Sequence, residues 1–101
     1  MNQDPFDLNQ EQQASADAQL QRSQDAAAQA EDFMQVMGLK AGRSVVWGIL
    51  QRAGVFTTSF STDALVMAFK EGQRNEGLRI LAQIHALCPD LYQVMVTENQ
   101  A

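Results

Sequence analysis

One cysteine, one histidine and two prolines occur in the 101 residues of this chain. A single cysteine, Cys88, permits no internal disulfide and removes any multi-cysteine metal site. A single imidazole, His85, with scattered acids falls short of the usual four-ligand zinc set. No run of about 18 apolar residues exists, which excludes a bilayer-spanning helix. The opening Met1-Asn2-Gln3-Asp4-Pro5 is acidic and polar, unlike the basic, apolar head of a secretory signal. No glycine-rich Lys-Ser/Thr loop is present to cradle a nucleotide. Bases are also scarce: 7 Lys+Arg against 12 Asp+Glu give a net charge of −5. The chain therefore lacks the diffuse positive field that non-specific nucleic-acid or anionic-membrane binding needs.

The charge that is present is unevenly placed. Residues 1–32 hold seven acids and Arg22, so 1 − 7 = −6, whereas residues 33–101 hold six bases and five acids, so +1. The first third is rich in Gln and Ala, and every aromatic except Phe6 lies from Phe33 onward. An acidic arm over 1–30 followed by a compact helical domain over 31–98 is the expected organisation. The length suits one small core. Strong helix formers without an internal glycine allow one long helix from Glu11 to Met37. Its stripe (Ala16, Leu20, Ala27, Ala30, Met34) is mostly alanine, and a lone helix of that kind is marginal in water. Two readings stay open: a disordered or nascent-helical tail, or a docking arm ordered by a partner helix. No sustained Leu or Ile heptad supports an autonomous coiled coil.

The compact part reads as helices joined by short turns, an all-α bundle of three to four helices. Ala30, Phe33, Val36 and Met37 share one face of the first helix, and Gly38 is its expected left-handed stop. A second helix from Gly42 to Ala53 carries the stripe Val46, Ile49, Leu50 and Ala53, with Trp47 at its edge and Gly54 as its end. Val55–Phe60 is β-rich but has no second strand to pair with, so it is expected as an extended connection whose Phe56 and Phe60 plug the core. Ser61, Thr62 and Asp63 offer caps for a third helix. Its apolar positions are Val66, Phe69, Gly77, Ile80, Ile84 and Leu87, with Leu65, Leu78 and Leu81 beside them. Cys88-Pro89 breaks it, and Pro89 suits the first turn of a fourth helix, with Leu91, Tyr92, Val94 and Met95 facing inward.

Eight residues, Lys70-Glu71-Gly72-Gln73-Arg74-Asn75-Glu76-Gly77, interrupt this pattern without one large apolar side chain. Two interior glycines cost about 1 kcal/mol each relative to alanine. The run is either a loop between two shorter helices or a continuous helix in which Gly72 and Gly77 admit another backbone. In the latter, Arg74 would pair with Glu71 or with a neighbouring carbonyl, since a buried guanidinium is tolerable only when paired.

Read together, Gly42-Arg43, Trp47, Leu50, Ala53-Gly54-Val55-Phe56, Ser59-Phe60, Phe69, Glu71-Gly72, Arg74-Asn75, Gly77-Leu78, Pro89, Leu91-Tyr92, Met95 and Glu98 carry a resemblance. The pattern resembles a family of small helical proteins encoded among the virion-structure genes of tailed phages, typified by a Bordetella short-tailed phage. It covers about residues 33–98, leaves out the arm, and is most specific from Phe69 to Leu78. The resemblance implies a phage context and a structural or accessory role, without a defined chemistry.

Catalysis is poorly supported. His85 and Cys88 lie three residues apart on a helix, a conceivable base and nucleophile. No oxyanion donor or orienting carboxylate accompanies them, and a small buried thiol is the simpler reading. Arg43, Arg52, Arg74 and Arg79 would form a nucleic-acid patch only if the fold gathers them. The five methionines either fill a small core or give an adaptable surface.

The expectation is a non-enzymatic virion component without cofactor, metal or small-molecule substrate. Its partners would be phage structural proteins of the portal, internal core or tail, and itself. It would reside in the virion, and in the host cytoplasm during assembly; one version is an ejected internal protein. Trp47, Phe69, Glu71, Gly72, Arg74, Asn75 and Gly77 are the expected partner-binding or packing residues. The alternative is a non-virion accessory protein that binds a host factor or acts as an assembly chaperone; a DNA-binding regulator is a third reading. Deleting residues 1–30 should leave a cooperatively melting domain; loss of the thermal transition would place the arm in the core.

Overall fold

The computed structural model describes residues 5–58 and 60–100. Four helices follow in order: α1 Pro5–Gly38, α2 Lys40–Ala53, α3 Ala64–Leu87 and α4 Pro89–Asn99. Two units divide the chain, one ending at Asp32 and the next beginning at Phe33.

In the first unit α1 starts six residues earlier than expected, at Pro5, whose fixed φ is pre-set for a first helical turn. Two i,i+4 pairs support it: Gln13 donates to Asp17 at 3.2 Å and Gln21 donates to Asp25 at 3.0 Å. Such pairs add only a few tenths of a kcal/mol each. Every described residue of this unit except Ala30 is exposed.

The second unit holds the core: Met37 from α1, Val46 and Leu50 from α2, Val55 from the connection, Ile84 from α3 and Met95 from α4. Phe33, Trp47, Leu78, Ile80, Leu81, Leu91 and Tyr92 pack around them. Gly38 remains helical and is not left-handed; the chain breaks at Leu39, which is extended at φ −102° and ψ 136°. Gly54 is the one described residue with positive φ, at 75°. It ends α2 with the amides of Gly54 and Val55 bonded to Gln51 O and Leu50 O, as a left-handed C-terminal glycine does. Asp63 caps α3, its carboxylate accepting from the amides of Leu65 at 2.9 Å and Val66 at 3.2 Å. Cys88 alone separates α3 from α4.

Besides Gly38, three expectations need correction. Phe56 and Phe60 do not plug the core: they are 47% and 78% exposed. Val55 takes that place because the left-handed turn at Gly54 sends the next residue inward, and Phe56 instead leans on Trp47, ring centroids 5.1 Å apart. Val36, Val66, Phe69 and Val94 are likewise exposed rather than inward-facing. Finally, the polar run is helical, since α3 is continuous, but its glycines differ. At Gly72 an added Cβ meets open space. At Gly77 it would collide with Val55 Cγ2 and come within 2.7 Å of Ala53 Cβ. Only the second glycine admits a neighbour, and what it admits is the chain around the α2 C-terminus.

Replacing Gly72 with alanine should therefore raise stability by about 1 kcal/mol through helix propensity alone, a rise of about 4–8 °C in Tm for a domain of this size. Gly77→Ala should lower stability by about 1–3 kcal/mol through overpacking. Thermal melts of both variants check the pair; equal effects would show that Gly77 is not a packing constraint.

Candidate functional site

The expected site residues do not form one cluster. Trp47 is half-buried against Phe56 and the core. Gly77 is buried in the packing just described. Phe69, Gly72 and Asn75 are exposed. Glu71 and Arg74 are half-buried and line a shallow groove with Thr58, Phe60 and Met67. The expected Arg74–Glu71 or Arg74–carbonyl bond is not made by Arg74 Nε, which is buried without a hydrogen-bond partner among the described residues. The polar run thus has an inner part, Gly77, that serves the fold and an outer part that faces solvent.

The first half of α3 presents apolar side chains outward. Leu65 is 84% exposed and Phe69, one turn on, is 68% exposed; residues four apart lie on one helical face. Val66 and Met67 beside them are also exposed, as is Phe60 just before the helix. The α3 residues in or against the core are Gly77, Leu78, Ile80, Leu81 and Ile84. The helix is anchored by its second half and bare on its first. The methionines divide similarly, Met37 and Met95 inside, Met34 and Met67 outside.

One polar contact was missed by sequence reasoning. Arg43 Nε donates to Glu98 Oε1 at 2.5 Å and Nη2 to Oε2 at 3.3 Å, while Nη1 donates to Met37 O at 2.9 Å. Both side chains are largely covered. Arg43 stands in the first turn of α2 and Glu98 in the last turn of α4, so each has the wrong sign for the dipole of its own helix. That double misplacement was a readable signal that the two serve each other. The Arg43 hydrogen bond, opposed by burial and aided by the charges of Arg43 and Lys40, holds the Glu98 carboxyl below its ordinary pKa.

His85 and Cys88 form no hydrogen-bonded pair among the described residues. His85 is exposed, its ring 4.9 Å from that of Tyr92, and burial pushes the Cys88 thiol up, away from the thiolate a nucleophile needs. Among the described residues no group of three His, Cys, Asp or Glu is placed to hold a metal. Nor is any described helix long and apolar enough to cross a membrane. Of the four arginines considered as a patch, Arg43 is paired with Glu98, and Arg79 with Glu76 at 3.4 Å. Arg52 and Arg74 do meet, in a pocket at the end of α2.

Residues 33–97 match the family model described as Bbp19-like phage protein. The chain belongs to that family. The matched span coincides with the unit that holds the core and leaves out the Gln/Ala-rich helix up to Asp32. Membership makes this a phage protein. No curated protein and no solved structure matches it.

Because the Glu98 pKa is depressed in the folded state, its contribution to stability is complete above the unfolded-state value of about 4.3 and is lost as pH falls through the lower folded value. Wild type should therefore melt above Glu98→Gln at neutral pH, and the gap should close on acidification below about pH 4.3. Melting curves at several pH values check this; a gap independent of pH would mean that the pair contributes by shape alone.

Proposed function

We infer that this Bbp19-like protein is a non-enzymatic virion component that packs against larger phage structural proteins at the portal, internal core or tail. The observation that carries the reading is the bare first half of α3. Leu65 and Phe69 on one face, with Phe60 before it, leave large apolar side chains in water within a domain whose core, among the described residues, has six buried apolar side chains. Contiguous exposed apolar surface marks interaction sites in soluble proteins, and aromatic residues and methionine are enriched where proteins meet. Membership of a phage family supports a partner of phage origin. The exposed Phe6, Leu8 and Leu20 along α1 offer a second, weaker apolar series.

Mass spectrometry of purified particles tests the reading. Stoichiometric peptides are expected; presence in the infected cell with complete absence from particles would favour the accessory-protein alternative. Leu65→Ser with Phe69→Ser should leave the melting temperature within a few degrees, since exposed substitutions change stability by about 0.5 kcal/mol or less, yet reduce incorporation into particles severalfold. Full incorporation of the double variant would remove this face from the contact.

A further inference from the structure

The second unit carries six cationic side chains, Lys40, Arg43, Arg52, Lys70, Arg74 and Arg79. Arg43 and Arg79 are taken by Glu98 and Glu76, and Lys40 contributes to the field that holds Glu98 ionised. The other three, Arg52, Lys70 and Arg74, make no ion pair among the described residues, and all three line one pocket of about 260 Å³. That pocket opens between the C-terminal turn of α2, the connection after Gly54, and the middle of α3. Gln73 and Thr58 add amide and hydroxyl donors, the Thr57 hydroxyl being already given to Gly54 O at 3.3 Å, and among the described residues no carboxylate lines it. Glu71 lies in the adjoining groove, which shares Arg74 and Thr58 with the pocket.

We propose that this pocket binds a phosphate group. Three unpaired cations facing one cavity repel one another, and a bound anion converts that repulsion into attraction. Two of the carbonyls near the end of α2, Leu50 O and Gln51 O, already accept from Val55 and Gly54, and the three cations must outweigh the negative end of that helix dipole. Arg74 is pre-positioned for it, because its Nε is enclosed by protein, so packing rather than a carboxylate holds the guanidinium. Preorganisation of this kind lowers the ordering cost of binding. The donor set exceeds what a carboxylate with two oxygens can use, and the formal charge of +3 suits a doubly charged tetrahedral anion better than a singly charged one. A pocket of about 260 Å³ has room for a phosphate with part of a carrier. The net charge of −5 disfavours a long polyanion and favours a small ligand. Nothing in this inference depends on the virion reading.

The test is an NMR titration of the full-length protein, with chloride holding ionic strength constant and inorganic phosphate and adenosine monophosphate as separate probes. The expected result is a saturable shift of the Arg52, Lys70 and Arg74 side-chain signals, with Arg43 and Arg79 unmoved. Lys70 is exposed, so Lys70→Gln should keep the fold and weaken binding about tenfold, the loss of one charge-assisted hydrogen bond. Arg74→Gln should do the same, with circular dichroism confirming that it folds. Tighter binding of the nucleotide identifies a carried phosphate, and equal or tighter binding of inorganic phosphate identifies a free one; either supports the site. Shifts that fail to saturate, that move all six cations alike, or that persist unchanged in Lys70→Gln would overturn it. So would binding to an oligonucleotide with neither small phosphate bound.

Discussion

The fork between Arg43 and Glu98 is the contact on which the second unit depends. Its partners are 55 residues apart in sequence, and through Met37 O the same guanidinium also reaches the end of α1. Three helices are thereby tied at one point. Among the described residues the core offers six buried apolar side chains, four of them fully enclosed, and small domains with so little buried surface stand close to their stability threshold. A planar guanidinium with several donors can satisfy a carboxylate and a helix-end carbonyl together, which a lysine ammonium cannot do with the same geometry. The dipoles add to the dependence: separated, each charge would face an unfavourable helix terminus.

Local chemistry was the legible part of the fold. The sequence places Gly54 and Pro89 at their helix ends and offers Asp63 as one of three caps with Ser61 and Thr62, because capping is decided by a residue and its immediate neighbours, although Gly38, read the same way, is not left-handed. Of the stripe Val46, Ile49, Leu50 and Ala53, three join the core, and Ile49 stays half-buried outside it. What failed was long-range. Phe56 and Phe60 were assigned to the core for being aromatic, yet the direction of the chain after Gly54 gives the inward position to Val55. Gly77 falls on the apolar stripe of α3 and Gly72 does not, but only the path of the preceding connection shows what Gly77 admits. The site was less legible than the fold, since the polar run divides between packing and solvent.

That division makes α3 an asymmetric element. Periodicity predicts apolar positions facing inward on both sides of the polar run, but the helix is longer than the core beneath it. From Gly77 onward the apolar positions find neighbours, and before it Leu65, Val66 and Phe69 do not. The polar stretch between the two halves is the stretch that also supplies Lys70 and Arg74 to the pocket at the end of α2. A single helix thus presents a greasy end, a charged middle and a buried end to three different surroundings.

The joints of the second unit differ in slack. Leu39 alone joins α1 to α2, and Cys88 alone joins α3 to α4, serving as the last cap of one and the first of the other. With about 3.6 residues per turn, one inserted residue in a helix swings every later side chain by about 100°. An insertion within α4 before Met95 would therefore rotate Met95 and Glu98 away from their seats together. The stretch from Gly54 to Asp63 has no such gearing, so changes in chain length within this family should accumulate there while the two corners keep their count.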